Sequence, residues 1–336
     1  MDISTLLALS VKHNASDLHL SASHPPMLRI DGGLRKLECE TLSSQMILSL
    51  TESMMSEAQR AQFRLAQEAD WCYQSEHGRF RVNRFVQSRG YAAVMRYIPS
   101  DIPTLPSLDV PDIVADICHY RQGLVLVTGA TGSGKSTTLA AMVDAINSRD
   151  SKHIVTIEDP VEFVHHSRQS LVHHREIGRD SGSFTDALRA VLRADPDVLL
   201  IGELRDRETI RLALTAAETG HLVLATLHTR SAAQSIDRII DVFPADEQSR
   251  VRTVLAESLQ AVIAQRLLLK VGGGRIGCYE VLTATSAVRN LIRENRLPQI
   301  ESVMQTGAGR GMRTMAQDRQ RLLNLGMILP DTNEEQ

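Results

Sequence analysis

Apolar residues repeat along this chain with two different periods. Near the start, Ile3, Leu6, Leu7 and Val11 fall at helical spacing. Alternation then takes over. Asp17-Leu-His-Leu20, Met27-Leu-Arg-Ile30 before the turn pair Gly32-Gly33, Arg79 to Val86, and Tyr91 to Tyr97 all read apolar-polar in turn. That pattern predicts strands with one buried face, so residues 1–98 are expected to form a mixed α+β layer. Further on, Leu124–Val127, Ile154–Ile157, Val198–Ile201 and Leu222–Ala225 are short apolar runs without alternation. Such runs are the mark of parallel strands buried on both faces. Helices are predicted between them. One runs from Ser183 to Ala194, with Ser183 and Asp186 at capping positions and Asp195-Pro196 ending it. Another runs from Arg207 to Thr219 between an N-cap Asp206 and a C-cap Gly220. Val-Gly-Gly-Gly-Arg after Lys270 reads as a hairpin loop, and 286–325 as helical. Prolines cluster at 99, 103, 106 and 111, as they do where neither helix nor sheet continues. The predicted organisation is a first domain over 1–98, a linker over 99–112, an α/β core with a mostly parallel sheet over 113–285, and a helical region with a polar tail over 286–336.

Composition narrows the classes of function. Lys and Arg number 37 against 40 Asp and Glu, a formal charge of −3, and aromatic residues are 4%. Proteins that grip nucleic acid usually carry a basic excess and stacking platforms, so none is expected as a partner. No apolar run reaches the roughly 18 residues of a membrane span. The first residues lack a basic segment and a small-residue cleavage site. The expectation is a cytoplasmic protein without a transmembrane segment, touching a membrane only peripherally through a partner. Cys39, Cys72, Cys118 and Cys278 form no C-x-x-C pair, so neither a disulfide framework nor a zinc ribbon is predicted.

The chemistry concentrates after the apolar runs. Gly129-Ala-Thr-Gly-Ser-Gly-Lys-Ser136 fits G-x-x-x-x-G-K-[ST], with a strand entering and a helix leaving it. In such a loop, glycines let backbone N–H groups wrap phosphates, and the helix N-terminus adds a favourable field. Gly129, Thr131, Gly132, Ser133, Gly134, Lys135, Ser136 and Thr137 are therefore the candidate nucleotide-binding residues. Lys135 is assigned to the β- and γ-phosphates and Ser136 to Mg²⁺. Glu203 follows the run Val198–Ile201, where a carboxylate ligates Mg²⁺ through water or polarises the attacking water. Asp206 is better placed to cap the next helix. Glu158, Asp159 and Glu162 follow another run and converge with Glu203 if the strands are neighbours; a solvated turn is the plainer alternative. His228, after a strand of the same sheet, is a candidate γ-phosphate sensor. The pairs His165-His166 and His173-His174 have no acidic or cysteine partners at metal-ligand spacing, so a polar loop is the reading there.

Together, the P-loop, Ile-Glu-Asp-Pro-Val-Glu, Ala-Asp-Pro-Asp-Val-Leu-Leu-Ile-Gly-Glu-Leu-Arg-Asp and Ala-Thr-Leu-His-Thr resemble the Walker A, Asp-box, Walker B and His-box set of the secretion ATPase superfamily. Within it the likeness is to the type IV pilus retraction ATPases. It extends over about residues 1–325 and includes Ala-Ser-Asp-Leu-His-Leu, Gly-Arg-Phe-Arg-Val-Asn and Ala-Val-Arg-Asn-Leu-Ile-Arg-Glu. The resemblance implies a PAS-like N-terminal domain, a RecA-like P-loop ATPase core, a homohexameric ring, ATP with Mg²⁺, and an inner-membrane pilus platform protein as partner in the pilus machinery. It also implies arginines of the first domain reaching the phosphates, and Arg81 and Arg96 match those positions. Arg189 and Arg193, four apart, are further candidates for the same site or for a subunit contact. Three departures stand out: Ala130 where proline is frequent, His174 where glutamine is usual, and Val288 in place of isoleucine.

The function implied is ATP hydrolysis driving pilin depolymerisation and twitching motility. A pilus assembly or type II secretion ATPase is the alternative, although such relatives commonly carry a longer N-terminal region and a four-cysteine insertion. A RecA-like nucleic-acid motor is a remote one.

Overall fold

The computed structural model describes residues 2–30, 32–98 and 101–330. The chain divides into two compact units, Met1–Asp101 and Ile102–Gln336. The division falls inside the proline-rich stretch, of which Pro99 and Ser100 lie outside the described residues, as do residues 331–336 of the tail.

The first unit runs α1 (Ile3–Lys12), β1 (Asp17–Ser21), β2 (Met27–Ile30), β3 (Gly33–Lys36), α2 (Ser44–Glu52), α3 (Glu57–Ala66), β4 (Glu68–Ser75), β5 (Gly78–Gln87) and β6 (Gly90–Ile98). Its strands form one antiparallel sheet in the order β3-β2-β1-β6-β5-β4. Leu18 and Leu20, Phe80 and Val82, and Ala93 and Met95 point into a core closed by Leu6, Leu7, Ile47 and Phe63 of the helices. The alternation is broken at Arg84, which occupies a core position and is almost wholly buried. Its guanidinium lies 3.6 Å over the Phe63 ring and donates to Thr51 Oγ1 at 2.9 Å. A cation is tolerated there because it stacks on a ring face and keeps a hydrogen bond.

The second unit contains α4 (Ile113–Ile117), β7 (Gly123–Thr128), α5 (Lys135–Arg149), β8 (His153–Glu158), β9 (Leu171–Glu176), α6 (Phe184–Val191), β10 (Val198–Ile201), α7 (Arg207–Glu218), β11 (Leu222–Leu227), α8 (Ala232–Asp241), α9 (Ala245–Ser258), β12 (Leu259–Leu269), β13 (Arg275–Thr283), α10 (Ser286–Arg293), α11 (Ile300–Thr306) and α12 (Met315–Asn324). The sheet order is β13-β12-β7-β11-β10-β8-β9, parallel throughout except for β13. Leu124 and Leu126 of β7 face one core, with α6 to α10; Val125 and Val127 face the other, with α4 and α5. Two covered faces explain why these strands read as unbroken apolar runs.

Several details differ from the sequence reading. Residues read as linker pack on the second unit: Leu105 is buried in its core, and the Tyr279 hydroxyl donates to the Leu108 carbonyl at 3.3 Å. The segment after 286 also joins that unit. Asp318 of α12, fully buried, accepts from the backbone N–H of Tyr279 at 2.8 Å and pairs with Arg313 and Arg321. The helix predicted to reach Ala194 stops at Val191, so Arg193 lies beyond it, and Arg189 holds α6 to α7 through Glu208 at 2.7 Å. His173 and His174 are not in a loop; they sit on the edge strand β9, whose polar residues conceal its period. All four cysteines are free, and burial pushes the Cys118 and Cys278 thiols up to about 12, where they are unreactive.

Candidate functional site

Parallel strands all point the same way, so their carboxyl ends lie along one edge of the sheet, where open α/β folds bind ligands. Thr128, Leu227, Ile201 and Glu158 end β7, β11, β10 and β8 in that spatial order. The P-loop leaves β7 there. Gly129 has φ +147°, and a Cβ on it would meet the Gln265 carbonyl at 2.4 Å, so no side chain fits. Gly134, with φ +88°, starts α5, and no side chain caps the helix. Its first N–H groups are thus offered to an anion.

Lys135 is buried, and its Nζ donates to the carbonyls of Gly129 at 3.0 Å and Ala130 at 2.8 Å. Burial lowers its pKa, while the charges of Glu203 and Glu162 oppose that shift. Ser133 is buried, Ser136 and Thr137 are half-buried, and Thr131 and Gly132 are exposed at the loop's tip.

Backbone stitching places Glu203. The Gly202 N–H donates to Ile157 O at 2.8 Å, and the Leu204 N–H to Thr226 O at 3.0 Å. Thr226 Oγ1 donates to Gly202 O. The turn after β10 is thereby tied to the ends of both neighbouring strands. Glu203 Oε2 accepts from Arg205 Nε at 2.8 Å, and Oε1 lies 3.4 Å from His228 Nε2. Glu203 and His228 are thus brought together. Glu158, at the end of β8, lies close against Gly202 and 3.9 Å from His174 Nδ1, and Asp159 is exposed.

Arg81 and Arg96 belong to the first unit. They are direct cross-strand partners on one face of its sheet, and Asp17 is paired across from Arg96. Arg81 grips Asp70 through Nε and Nη2, at 2.7 Å for the shorter contact, and Arg96 Nε donates to Asp17 Oδ1 at 2.8 Å. Both are engaged in ion pairs within their own sheet.

Sequence reasoning missed Gln265. It follows the apolar stretch Ala261–Ala264 of β12, is buried, and donates from Nε2 to Ser133 O at 2.7 Å, bracing the P-loop from the neighbouring strand. A polar residue directly after an apolar run was its only signal. Asn147, at the far end of α5, was missed too. It donates to His166 O at 2.9 Å and accepts from the Arg168 N–H at 3.0 Å, tying the P-loop helix to the connection that carries the acidic residues.

Mg²⁺ takes hard oxygen donors and keeps several waters, relying on substrate phosphates more than on a protein cage. The Ser136 hydroxyl and the Glu203 carboxylate are donors of that kind, and no cluster of three or more His, Cys, Asp or Glu ligands occurs among the described residues. The residues therefore fit a phosphate-bound magnesium ion.

A glycine-lined loop on a helix N-terminus, a buried lysine and a carboxylate at the end of the next strand but one in the same parallel sheet define a P-loop nucleoside-triphosphatase with a RecA-like core. The Type II/IV secretion system protein family matches residues 2–272, and the chain belongs to it. The chain is 51% identical over its full length, and over 98% of the relative, to the type IV pilus retraction ATPase PilT of Pseudomonas aeruginosa. It is also 51% identical to the twitching motility protein of Neisseria gonorrhoeae, covering 91% of this chain and 82% of that one. Among solved structures, the pilus retraction motor PilT with bound ADP superposes with a TM-score of 0.91 at 46% identity, over 98% of this chain and 95% of that one.

Proposed function

We propose that this chain is an ATP-hydrolysing motor that retracts type IV pili, working as a homohexamer on a membrane platform protein of the pilus machinery. The observation that carries the reading is the P-loop between β7 and α5, with Lys135 buried in it and held on the Gly129 and Ala130 carbonyls, in a chain alike from end to end to a retraction ATPase. Lys135 and the amides of Gly132 to Ser136 hold the phosphates, with Ser136 and Glu203 toward Mg²⁺. The ion, when bound, neutralises charge on the phosphate oxygens. Glu203 orients and polarises the attacking water, and His228 beside it senses the γ-phosphate. Arg81 and Arg96 supply positive charge to the phosphates, as the resemblance implies. Among the described residues no helix is long and apolar enough to cross a membrane; attachment at the inner membrane is assigned to the partner.

The test is deletion of the gene in its host followed by imaging of pili. Retraction predicts excess pili and no twitching. Bald cells would instead assign the chain to pilus assembly. Chelation of Mg²⁺ is expected to stop hydrolysis by the purified protein.

A further inference from the structure

Between β8 and β9 the chain makes a long connection without a helix, from Asp159 to Ser170, and this connection carries Glu162. A segment without regular structure needs anchors to hold a side chain still. Two anchors lie on β9, two residues apart and so on the same face. Glu176, buried, accepts from the Val161 N–H at 3.2 Å. His174 Nε2 accepts from the His165 N–H at 3.0 Å. Val161 and His165 bracket Glu162.

The partners of His174 determine its tautomer. Nε2 lies 3.0 Å from the His165 N–H and 3.3 Å from the His165 carbonyl; the shorter contact, to a group that can only donate, is met by a lone pair on Nε2 with the hydrogen on Nδ1. Nδ1 then donates to Thr156 Oγ1 at 2.8 Å, on β8. The ring also stacks on His165, with centroids 5.7 Å apart and planes 15° apart. His165 is buried, and its pKa is lowered to about 3, chiefly by that burial, so it stays neutral against the ring. One imidazole therefore joins the sheet to the acidic connection by a donor, an acceptor and a stacked face.

We propose that His174, with Glu176, is a positioning residue of the hydrolytic site, clamping the backbone on both sides of Glu162 and so fixing where its carboxylate stands. The proposal deepens the motor reading and rests on Glu162 belonging to that site. A glutamine amide carries one donor and one acceptor and can replace both hydrogen bonds. A leucine fills the space beside His165 and replaces neither.

The experiment compares His174→Leu and His174→Gln in the full chain. The leucine variant is expected to lose on the order of tenfold in kcat, the scale set by small misplacements of a catalytic group, with the KM for ATP nearly unchanged. Glutamine should restore kcat to about twofold of the parent, since it keeps both hydrogen bonds. Equal kcat in all three proteins would overturn the proposal, as would equal losses in both variants. If the leucine variant does not fold, amide exchange in the parent decides. Slow exchange of the Val161 and His165 amides supports the clamp, and exchange as fast as the exposed Ser167 refutes it. Glu162→Gln is assayed alongside. Full activity there would remove the motor-site reading of Glu162 and the clamp with it; loss of activity there, with His174→Leu unaffected, would remove the clamp alone.

Discussion

The two sheets of this molecule gather charged groups by opposite rules. In the parallel sheet, chemistry sits at strand ends. β7, β10, β8 and β11 carry the P-loop, Glu203, the acidic connection and His228 on one edge because every strand runs the same way. In the antiparallel sheet the ends alternate, and charge is gathered by register. Arg29, Asp17, Arg96 and Arg81 form one cross-strand row over four neighbouring strands. An edge of strand ends leaves the helix N-terminus of α5 and the free backbone beside it open to an anion. A row across a sheet face pairs cations with the carboxylates of its own strands. The first arrangement builds a phosphate site from backbone and a few side chains; the second presents side chains alone.

The largest effect in this comparison is expected from Lys135→Ala. Removing the ammonium held on Gly129 and Ala130 takes away the cation assigned to the β- and γ-phosphates, and hydrolysis should fall to background with weakened nucleotide binding. Turnover near the parent rate would show that the edge of strand ends is not the catalytic site. Glu203→Gln is expected to keep nucleotide binding and lose hydrolysis by about a hundredfold or more, because the amide cannot act as a base. Binding and turnover measured on the same preparation separate the two.

Arg81→Ala and Arg96→Ala probe the row. If these arginines reach phosphate charge, hydrolysis by the full chain should drop about tenfold or more. The Arg81–Asp70 pair is solvent-accessible and contributes only about 0–1 kcal/mol, so melting of Arg81→Ala should barely move, whereas Arg96→Ala leaves the buried Asp17 carboxylate without its cation and is expected to lower stability more. A large loss of stability with unchanged turnover would confine both to their sheet.

The smallest effects on turnover concern α10, whose two arginines, Arg289 and Arg293, stand four residues apart in different surroundings. Arg289 donates to the carbonyls of Ala284, Ala256 and Glu257, capping the end of α9, whereas Arg293 is exposed. Arg289→Ala is therefore expected to cost about 1–3 kcal/mol, as hydrogen bonds from a charged group do. Arg293→Ala should leave stability unchanged. If the motif serves retraction, Arg293→Ala impairs twitching while ATPase activity persists; full motility would leave it a packing helix.

Much of this arrangement was legible before any coordinates, for reasons of chain geometry. The P-loop pattern is local: glycines, lysine and serine at fixed spacing between a strand and a helix. The apolar runs of β7, β8, β10 and β11 carry their own mark, because burial on both faces leaves few polar positions in them, such as Thr156 and Thr226. The caps Ser183 and Asp206 likewise act within one turn, accepting from Asp186 and Thr209. By itself, then, the sequence determined the phosphate loop, the parallel core and the acidic residues following its strands. Tertiary structure decided what depends on partners distant along the chain. His174 becomes an anchor only when β9 lies beside β8, Gln265 only when β12 lies beside the P-loop strand, and Arg289 only when α9 ends against α10. Leu105 enters the second core and Arg84 the first for the same reason. A short-range pattern records the conformation of its own segment; a hydrogen bond between segments depends on how the sheet orders them, and no local spacing encodes that order.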